Sequence, residues 1–325
     1  MGELVSVVIP AYNVRRFIGA AITSVLNQTY KDVEIVVVDD RSTDDTLLEL
    51  EKFGDRVKIV RHETNQGAAA ARNTGVGACR GEIVAFLDGD DLWAPGKLEA
   101  FAECFSRHPD VLYGFSDFSR FKWSDGTFFA LSNSQIFPMI LDAIKRYKYT
   151  GRKSFVIPKA EMFEMLLRGY PVYPSAVVVR KRVFEAVGPW RRIRTNEDFD
   201  FGLRCCRATD CLYVDEILAM VGRHDANLTV DTHRQMEGDI VIFDNHLADP
   251  AYGPKERELI RKYRGRRLCG LAGTYAGAGE TGKAIGKYYA AMKNGGCFLH
   301  ALSRLGYVAA KGLAGSITSS RTTSR

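Results

Sequence analysis

A run of β-branched residues, EIVVVDD at positions 34–40, is almost uninterrupted and then stops at two aspartates. Such a run, apolar at consecutive positions, is typical of a strand that is buried on both faces of a parallel sheet. Similar runs occur before and after it along the chain, at 5–9, 57–61 and 83–87. Strands of this kind need helices on both faces of their sheet, so the sequence predicts an α/β fold with a doubly wound, mostly parallel sheet.

The segments around these strands carry helical patterns. Between the four runs, helices are predicted at 16–27, 42–50 and 67–76, and further on at 183–187 and 199–209, with one more strand at 177–180. Beyond Pro250 only helical patterns remain, including a hairpin over Leu271–Lys293 with Gly277-Ala278-Gly279 as its predicted turn. A C-terminal α-helical region is therefore expected to follow the sheet.

The composition excludes a disordered or fibrous chain, because 46% of the 325 residues are hydrophobic and 26% are charged. No apolar run approaches the roughly 20 residues that a membrane-spanning helix needs. The run at 5–9 lacks a basic leader and ends at Pro10, so it is better explained as a strand than as a signal segment. We therefore expect a cytoplasmic chain.

The net charge of +6 is unevenly distributed along the chain. From residue 251 onward there are 14 Lys and Arg against 3 Asp and Glu, whereas the rest of the chain has 31 against 36. A basic C-terminal region attached to an acidic body indicates contact with an anionic phospholipid surface or a lipid diphosphate. A solvated helical face is an equally good explanation of the same charges.

An acidic loop, Asp88-Gly89-Asp90-Asp91, directly follows the apolar run at 83–87. Ligands of open α/β sheets bind outside the carboxyl ends of the strands, which is where this loop is predicted to lie. A hard cation such as Mg²⁺ or Mn²⁺ takes one or two protein carboxylates together with phosphate oxygens of a substrate. The loop is therefore a candidate metal site, and a solvated acidic turn is the alternative.

Four further groups carry candidate site residues. Asp39-Asp40 can accept hydrogen bonds from a base or a ribose, or can form a turn and a helix cap. Arg72 can meet a phosphate or a base edge, or can be a surface arginine. Glu197-Asp198 can supply a general base or can cap the helix that follows it. The segment at 223–227, which contains His224, can supply a metal ligand or a donor to phosphate, although a single histidine is more often structural.

Five motifs, taken in order, resemble those of the family 2 glycosyltransferases, which have the Rossmann-like GT-A fold. They are VSVVIPAYN at 5–13, IVVVDDRSTD at 35–44, NQG with ARNTG at 65–75, FLDGDD at 86–91, and ED with LR at 197–204. The resemblance covers about residues 4–230. It implies an inverting transfer of a sugar from a nucleoside-diphosphate sugar, by default a UDP-sugar, to a hydroxyl of a glycan or lipid-linked glycan.

The resemblance also implies roles for individual residues. Asp198 would be the catalytic base, and Glu197 and Trp190 would contact the acceptor. Asp90, Asp88 and His224 would hold a divalent metal, Mn²⁺ or Mg²⁺. The nucleotide sugar would be bound by Pro10, Tyr12, Asp39, Asp40, Arg72, Asp88 and Gly89. Arg41 stands where the family usually has glycine, so the turn after Asp40 is expected to differ in backbone shape.

The implied organisation has four parts. Residues 1–115 would form the nucleotide-sugar-binding half of the GT-A domain, 116–245 its acceptor-binding half, 251–315 a basic helical region and 316–325 a disordered tail. The expected partners are the donor, the acceptor and the inner face of an anionic membrane, touched peripherally, with no nucleic acid. The helical hairpin would either close the acceptor cleft or form a homodimer contact.

Two other functions are compatible with such a sheet. A sugar-phosphate nucleotidyltransferase also binds nucleotides and a metal, but it usually carries a glycine-rich, arginine-containing loop after its first strand. This chain has PAYNV at positions 10–14 instead. A non-catalytic sugar-nucleotide-binding protein would be expected to lose acids from the DxD or Glu-Asp positions, and both are present. Glycosyl transfer is the function that the motifs favour.

Overall fold

The structure is a computed structural model that describes residues 2–193, 195–225, 232–294, 298–299 and 301–306. The chain divides into two compact units, Met1–Asn227 and Leu228–Arg325. The predicted disordered tail at 316–325 lies outside the described residues. Within the described part of the chain, no helix combines the length and the apolar character that crossing a bilayer requires.

One ten-stranded sheet forms the centre of the first unit. Its strands are β1 (Val5–Ala11), β2 (Val33–Asp39), β3 (Lys58–Arg61), β4 (Ile83–Phe86), β5 (Leu92–Trp93), β6 (Tyr113–Lys122), β7 (Phe128–Ala130), β8 (Ser154–Ile157), β9 (Val177–Arg180) and β10 (Cys211–Arg223). Their order is β3-β2-β1-β4-β9-β6-β10-β5, with β7 beside β6 and β8 beside β10. The first four strands are parallel, and β9 then enters antiparallel to β4.

Helices accompany these strands along the first unit. They are α1 (Arg15–Leu26), α2 (Thr46–Glu51), α3 (Ala68–Ala78), α4 (Lys97–Arg107), α5 (Asn133–Ile136), α6 (Pro138–Arg146), α7 (Lys159–Arg168), α8 (Val183–Val187) and α9 (Glu197–Ala208). The predicted α/β architecture is confirmed, and β9 and α8 have the predicted bounds. The parallel strands β1 to β4 and the later strands of mixed direction belong to the same sheet.

Strand register brings the polar strand ends together. Every residue of β1 from Val5 to Ile9 is fully buried, which explains the unbroken β-branched run. Ala11 pairs with Asp39 at the carboxyl ends of β1 and β2. The N–H of Leu87, just after β4, donates to the carbonyl of Val8 at 3.1 Å. The segments that follow β1, β2 and β4 therefore leave the sheet at one edge.

The turn after β2 is held by Asn13 from the end of β1. The Asn13 Oδ1 atom accepts a hydrogen bond from the N–H of Thr43 at 2.8 Å, and the Asn13 N–H donates to Ser42 Oγ at 3.1 Å. Arg41 has a φ of 65°, in the left-handed region. Arg41 therefore has a left-handed backbone conformation, which glycine adopts readily and other residues adopt rarely.

This conformation leads to a stability prediction. Arg41→Gly is expected to raise the free energy of unfolding by about 1 kcal/mol, because the left-handed conformation costs a side-chain-bearing residue about 1–2 kcal/mol. The matched control is Arg16→Gly on the exposed face of α1, which is expected to lower it by about 1 kcal/mol. Urea denaturation of both variants checks the difference. An equal loss of stability in both would contradict the role of the backbone at Arg41.

The second unit is helical. Its helices are α10 (Thr232–Ala248), α11 (Pro254–Gly277) and α12 (Thr281–Met292). Its core contains Leu268, Leu271, Ala272, Tyr275 and Tyr288, among other side chains. The hairpin turn lies where the sequence predicts it, because α11 ends at Gly277 and the chain turns at Gly279, whose φ is 80°.

Part of the basic charge of this unit is neutralised internally. Arg264 pairs with Asp244 at 2.7 Å, and Arg267 pairs with Asp239 at 2.8 Å. Other cations of α11, such as Lys255 and Arg261, are exposed. Some arginines of this unit therefore form ion pairs within it, and other basic side chains face solvent.

Candidate active site

The acidic loop is fixed to the sheet by Asp91. Its Oδ2 atom accepts a hydrogen bond from Ser175 Oγ at 2.5 Å, and its Oδ1 atom accepts one from the N–H of Gly222 at 2.8 Å. Burial raises the pKa of the Asp91 carboxyl well above its ordinary value, and the charges of Asp90 and Asp88 add to this effect. Asp91 therefore holds the acidic loop in place against the neighbouring segments.

Strand β10 passes the loop at Gly222 with no room for a side chain. A Cβ atom there would lie 2.2 Å from the carbonyl oxygen of Asp90 and 2.2 Å from Nε1 of Trp123. That indole N–H donates to the same Asp90 carbonyl at 2.8 Å. The sequence did not identify Gly222 or Ser175 as site residues, because a glycine that permits close packing shows no pattern in a single sequence.

Asp90 and His224 face each other across the loop. The Oδ2 atom of Asp90 lies 2.9 Å from Nε2 of His224, and the histidine ring stacks on Phe17 with a centroid separation of 4.3 Å. In the described ranges, no group of three or more His, Cys, Asp or Glu is arranged to hold a metal. The pair fits a cation that takes its remaining ligands from substrate phosphate oxygens, as Mg²⁺ and Mn²⁺ commonly do.

Arg72 joins the acidic loop to helix α9. Its Nη2 atom donates to Asp88 Oδ1 at 2.6 Å, and its Nη1 atom donates to Glu197 Oε1 at 2.7 Å. The residue is only 2% exposed, so both carboxylates are needed to compensate its buried charge. The charges of Asp88 and Glu197 hold the guanidinium ionised, with a pKa above its ordinary value, against the opposing effect of burial.

Trp190 lies behind this ion-pair network. The Arg72 guanidinium carbon is 4.9 Å from the centroid of its ring, and Phe201 stacks on it at 4.1 Å. The backbone of Trp190 exchanges two hydrogen bonds with the side-chain amide of Asn73, at 2.8 and 2.9 Å. Trp190 is buried and supports Arg72, and its contact with an acceptor remains a prediction.

Asp198 lies at the start of α9, after a strained residue. Asn196 precedes the helix with a φ of 61°. Burial, and next the charge of Glu197, raise the pKa of Asp198 from 3.8 to about 7. The N–H of Phe199 donates to Asp198 Oδ1 at 2.9 Å. A carboxylate with such a pKa is suited to accept a proton near neutral pH.

Asp40 holds the loop that leads into α3. Its Oδ1 atom accepts the N–H of Gln66 at 2.9 Å and lies 2.7 Å from His62 Nδ1, and its Oδ2 atom accepts the N–H of Gly67 at 2.7 Å. Asp39 is fully buried, accepts the N–H of Ser42 at 3.0 Å and lies near Arg61. Both aspartates thus organise the strand end, and their contacts with a nucleoside remain predictions.

The remaining predicted donor-site residues lie where β1 and β4 end. Tyr12 is 46% exposed just after β1, so its ring is available to a ligand. Pro10 is partly buried next to it, and its carbonyl oxygen would lie 3.3 Å from a Cβ atom added to Gly89. The absence of a side chain at Gly89 therefore lets the acidic loop approach the end of β1 closely.

Direct contacts connect several of the predicted residues. Arg72 bonds to Asp88 and to Glu197, the neighbour of Asp198, and Asp90 contacts His224. Residues from three separate motifs are joined in the first network, although they are up to 125 positions apart. The acidic loop thus contacts His224 through Asp90 and the buried Arg72 through Asp88, and Arg72 connects it to the helix that carries Asp198.

Two solved structures share this fold. S. aureus TarS residues 1–349, in complex with UDP-GlcNAc, shares 17% identity and a TM-score of 0.64 over 89% of this chain and 81% of that one. A mannosyltransferase, PcManGT from Pyrobaculum calidifontis in complex with GDP-Man and Mn²⁺, shares 17% identity and a TM-score of 0.60 over 96% and 81%. The architecture is therefore the GT-A fold, with a C-terminal helical region.

The family follows from the sequence match. Glycosyl transferase family 2 matches residues 6–194, more than half of the chain, and the chain belongs to this family. It is 46% identical over 97 residues to the E. coli glucosyltransferase WfgD, which is described as acting with UDP-Glc on α-D-GlcNAc-diphosphoundecaprenol. It is 42% identical over 127 residues to TuaG of Bacillus subtilis, a putative teichuronic acid biosynthesis glycosyltransferase.

These curated relatives are similar over part of their length only. The match covers 30% of this chain and 38% of WfgD, and 38% of this chain and 50% of TuaG. The chain thus matches half or less of each relative. The comparisons therefore establish membership of glycosyl transferase family 2 and the GT-A fold.

Proposed function

We propose that the chain transfers a sugar from a nucleoside-diphosphate sugar to a hydroxyl group of a glycan or lipid-linked glycan, with inversion at the anomeric carbon. The observation that carries this proposal is the bonding of Arg72 to both Asp88 and Glu197. A single buried guanidinium thereby ties the acidic loop to the helix that begins beside Asp198. The loop that would anchor the donor and the helix that carries the proposed base are therefore connected directly, and transfer between two substrates requires such fixed positions.

Asp198 is the proposed catalytic base. Its carboxylate accepts the proton of the acceptor hydroxyl, and the hydroxyl oxygen forms a bond to the anomeric carbon. The bond between that carbon and the diphosphate oxygen breaks on the opposite face, and the nucleoside diphosphate leaves with its electron pair. One displacement of this kind inverts the configuration. The raised pKa of Asp198 supports the role, because a base that titrates near the working pH is efficient.

Asp90 and His224 are the residues that would hold a divalent cation, with Asp88 beside them on the same loop. When bound, such a cation neutralises charge on the departing diphosphate. The 2.9 Å separation between Asp90 and His224 supports a shared role for the two side chains. Asp88 is held by Arg72, which keeps its carboxylate oriented whether or not it is itself a ligand.

The nucleoside is proposed to lie against the ends of β1 and β2. Tyr12 offers an exposed ring for stacking on the base, and Pro10 and Gly89 form a surface free of long side chains. Asp39 and Asp40 would set the shape of this surface. UDP is the proposed nucleotide because WfgD is described with UDP-Glc and TarS was solved with UDP-GlcNAc. GDP is the second candidate, since PcManGT was solved with GDP-Man.

The acceptor is proposed to be lipid-linked. The chain would then be cytoplasmic and would contact the inner face of the membrane peripherally. WfgD is described as acting on such a lipid diphosphate, and TuaG is assigned to polysaccharide synthesis. The exposed cations Lys255, Arg261 and Arg266 of α11 support attraction to anionic lipid head groups. These cations belong to the second unit.

The class of donor can be tested directly. Thermal-shift and transfer assays with UDP-, GDP- and dTDP-sugars, each with Mn²⁺ or EDTA, are expected to show one nucleotide that stabilises the chain and serves as donor. NMR of the product is expected to show the anomeric configuration opposite to that of the donor. Retention of configuration would contradict single displacement at Asp198. If none of the three nucleotides stabilises the chain, the proposed donor site is contradicted.

A further inference from the structure

An open pocket of about 680 Å³ lies against β6, β7 and α5 of the first unit. Its lining includes Arg120, Phe129, Leu131, Ser132 and Ile136. None of these residues belongs to the five motifs that indicate the donor site. The pocket therefore has a composition of its own, with one cation among apolar side chains.

Among the residues that the structure describes, no carboxylate forms an ion pair with Arg120, and the charge of Asp117 offsets only part of the cost of its burial. Its Nη1 atom is buried and makes no hydrogen bond within the described part of the chain, and its Nη2 atom reaches Asn133 Oδ1 only at 3.4 Å. Asp117, on the same strand, is already occupied by Ser132 Oγ at 2.6 Å and the N–H of Asn133 at 2.8 Å. Burial and the positive charge of Arg223 both disfavour the charged form of Arg120 and lower its pKa. An anionic ligand would relieve this unfavourable position.

The rim of the pocket is apolar and exposed. Phe129 is 52% exposed, Leu131 is 63% exposed and Ile136 is 47% exposed. The neighbouring Phe128 adds a further exposed ring, at 49%. Soluble proteins seldom leave large apolar side chains clustered around one opening unless the surface binds something. Because the Arg120 guanidinium lies among these apolar side chains, a molecule that fills the pocket has to combine a negative charge with a hydrocarbon portion.

The pocket adjoins the candidate active site through β10. Arg120 is paired with Val221 in the register of β6 and β10, and the next residue, Gly222, donates to Asp91 of the acidic loop. Arg223 follows and donates to the hydroxyl of Tyr173 at 3.0 Å. A chain of adjacent residues therefore runs from the pocket to the loop that is proposed to anchor the donor.

We propose that this pocket binds the prenyl-diphosphate end of the acceptor. Arg120 would donate to the diphosphate oxygens, and the apolar rim would cover the first prenyl units of the lipid. The inference rests on the proposed function and makes it more specific, because it assigns the acceptor class to a polyprenyl-diphosphate-linked sugar. The acceptor sugar would then extend from the diphosphate toward the acidic loop and Asp198.

The proposal can be tested by binding farnesyl diphosphate without knowledge of the sugar. Calorimetric titrations are performed in EDTA, with the donor nucleotide in excess where it binds, so that the diphosphate does not occupy the donor site. The wild type is expected to bind farnesyl diphosphate at least about tenfold more tightly than either inorganic diphosphate or farnesol. Arg120→Gln is expected to weaken this binding about tenfold to a hundredfold, while Arg120→Lys, which keeps the charge, is expected to weaken it less.

Two further variants separate the possible outcomes. Leu131→Ser changes an exposed side chain, so the fold is not at risk, and it is expected to weaken farnesyl diphosphate binding but leave inorganic diphosphate binding unchanged. Arg56→Gln removes an exposed arginine near β3 and is expected to change neither. Unchanged farnesyl diphosphate affinity in both Arg120→Gln and Leu131→Ser would overturn the proposal. Nucleotide binding is measured on the same samples, so a failure of the donor site is recognised separately.

Discussion

Asp198→Asn is expected to lower kcat by about 10²–10⁴-fold, the usual contribution of a positioned general base. The substitution keeps the size of the side chain and the oxygen that accepts the N–H of Phe199, so donor binding should change little. Rapid-quench or steady-state transfer assays measure the loss, and calorimetry with the donor nucleotide measures binding. Asp110→Asn removes an exposed carboxylate and serves as the charge-matched control. Full turnover in Asp198→Asn would refute the assignment.

The same residue sets the expected pH dependence. Activity of the wild type should rise with pH as Asp198 loses its proton near its pKa of about 7. Stability should have the opposite dependence, because the folded state binds more protons than the unfolded state between pH 3.8 and 7. Asp198→Asn removes this effect, so at pH 8 it is expected to be more stable than the wild type by roughly 1–2 kcal/mol. Urea denaturation at pH 5 and pH 8 measures the change.

Asp90→Asn is expected to reduce kcat/KM by at least about a hundredfold, because it removes the negative charge that would bind the cation. The amide can still face His224, and Trp123 bonds to the backbone carbonyl of residue 90, so the loop should keep its shape. Thermal stability without ligands should therefore match that of the wild type. Activity at saturating Mn²⁺, with Asp110→Asn as the control, measures the loss. Wild-type activity in the variant would show that Asp90 is not required.

The parallel half of the sheet was predictable because its signal is local. The runs that became β1, β2 and β4 are buried on both faces, and a continuous β-branched sequence reports such burial directly. Helices α1 and α3 lie within a few residues of their predicted bounds. The glycine turn of the C-terminal hairpin was predictable for a similar reason, since helix ends have their own residue preferences.

The second half of the first unit was harder to predict. Strand β10 runs from Cys211 to Arg223 with register shifts between Val214 and Ala219, so its alternation of buried and exposed residues is broken. Lys97 is fully buried at the start of helix α4, and the sequence gives no sign that this charged residue is buried. Such features depend on tertiary contacts, and a pattern of single residues does not contain them.

The candidate site shows the same division. Motif resemblance gave the types and order of the candidate residues, and the structure gave their connections, such as the Arg72 bridge between Asp88 and Glu197. It also gave the supporting contacts of Gly222, which depend on close packing between β10 and the acidic loop. No sequence motif marks the pocket at Arg120. Its character depends on a buried guanidinium nitrogen that makes no hydrogen bond within the described residues, and on apolar side chains that only the fold brings together.

The dissociation constant of the donor nucleotide, measured with Mn²⁺ and with EDTA, is the most direct test of the acidic loop as the diphosphate anchor. For the wild type, Mn²⁺ is expected to tighten binding at least about tenfold, because Asp90 and His224 would hold a cation whose positive charge attracts the diphosphate. Asp90→Asn is expected to lose this gain and to bind nucleotide as the wild type does in EDTA. Equal affinity of the wild type with and without Mn²⁺, or an undiminished gain in Asp90→Asn, would contradict the metal-dependent anchoring of the donor.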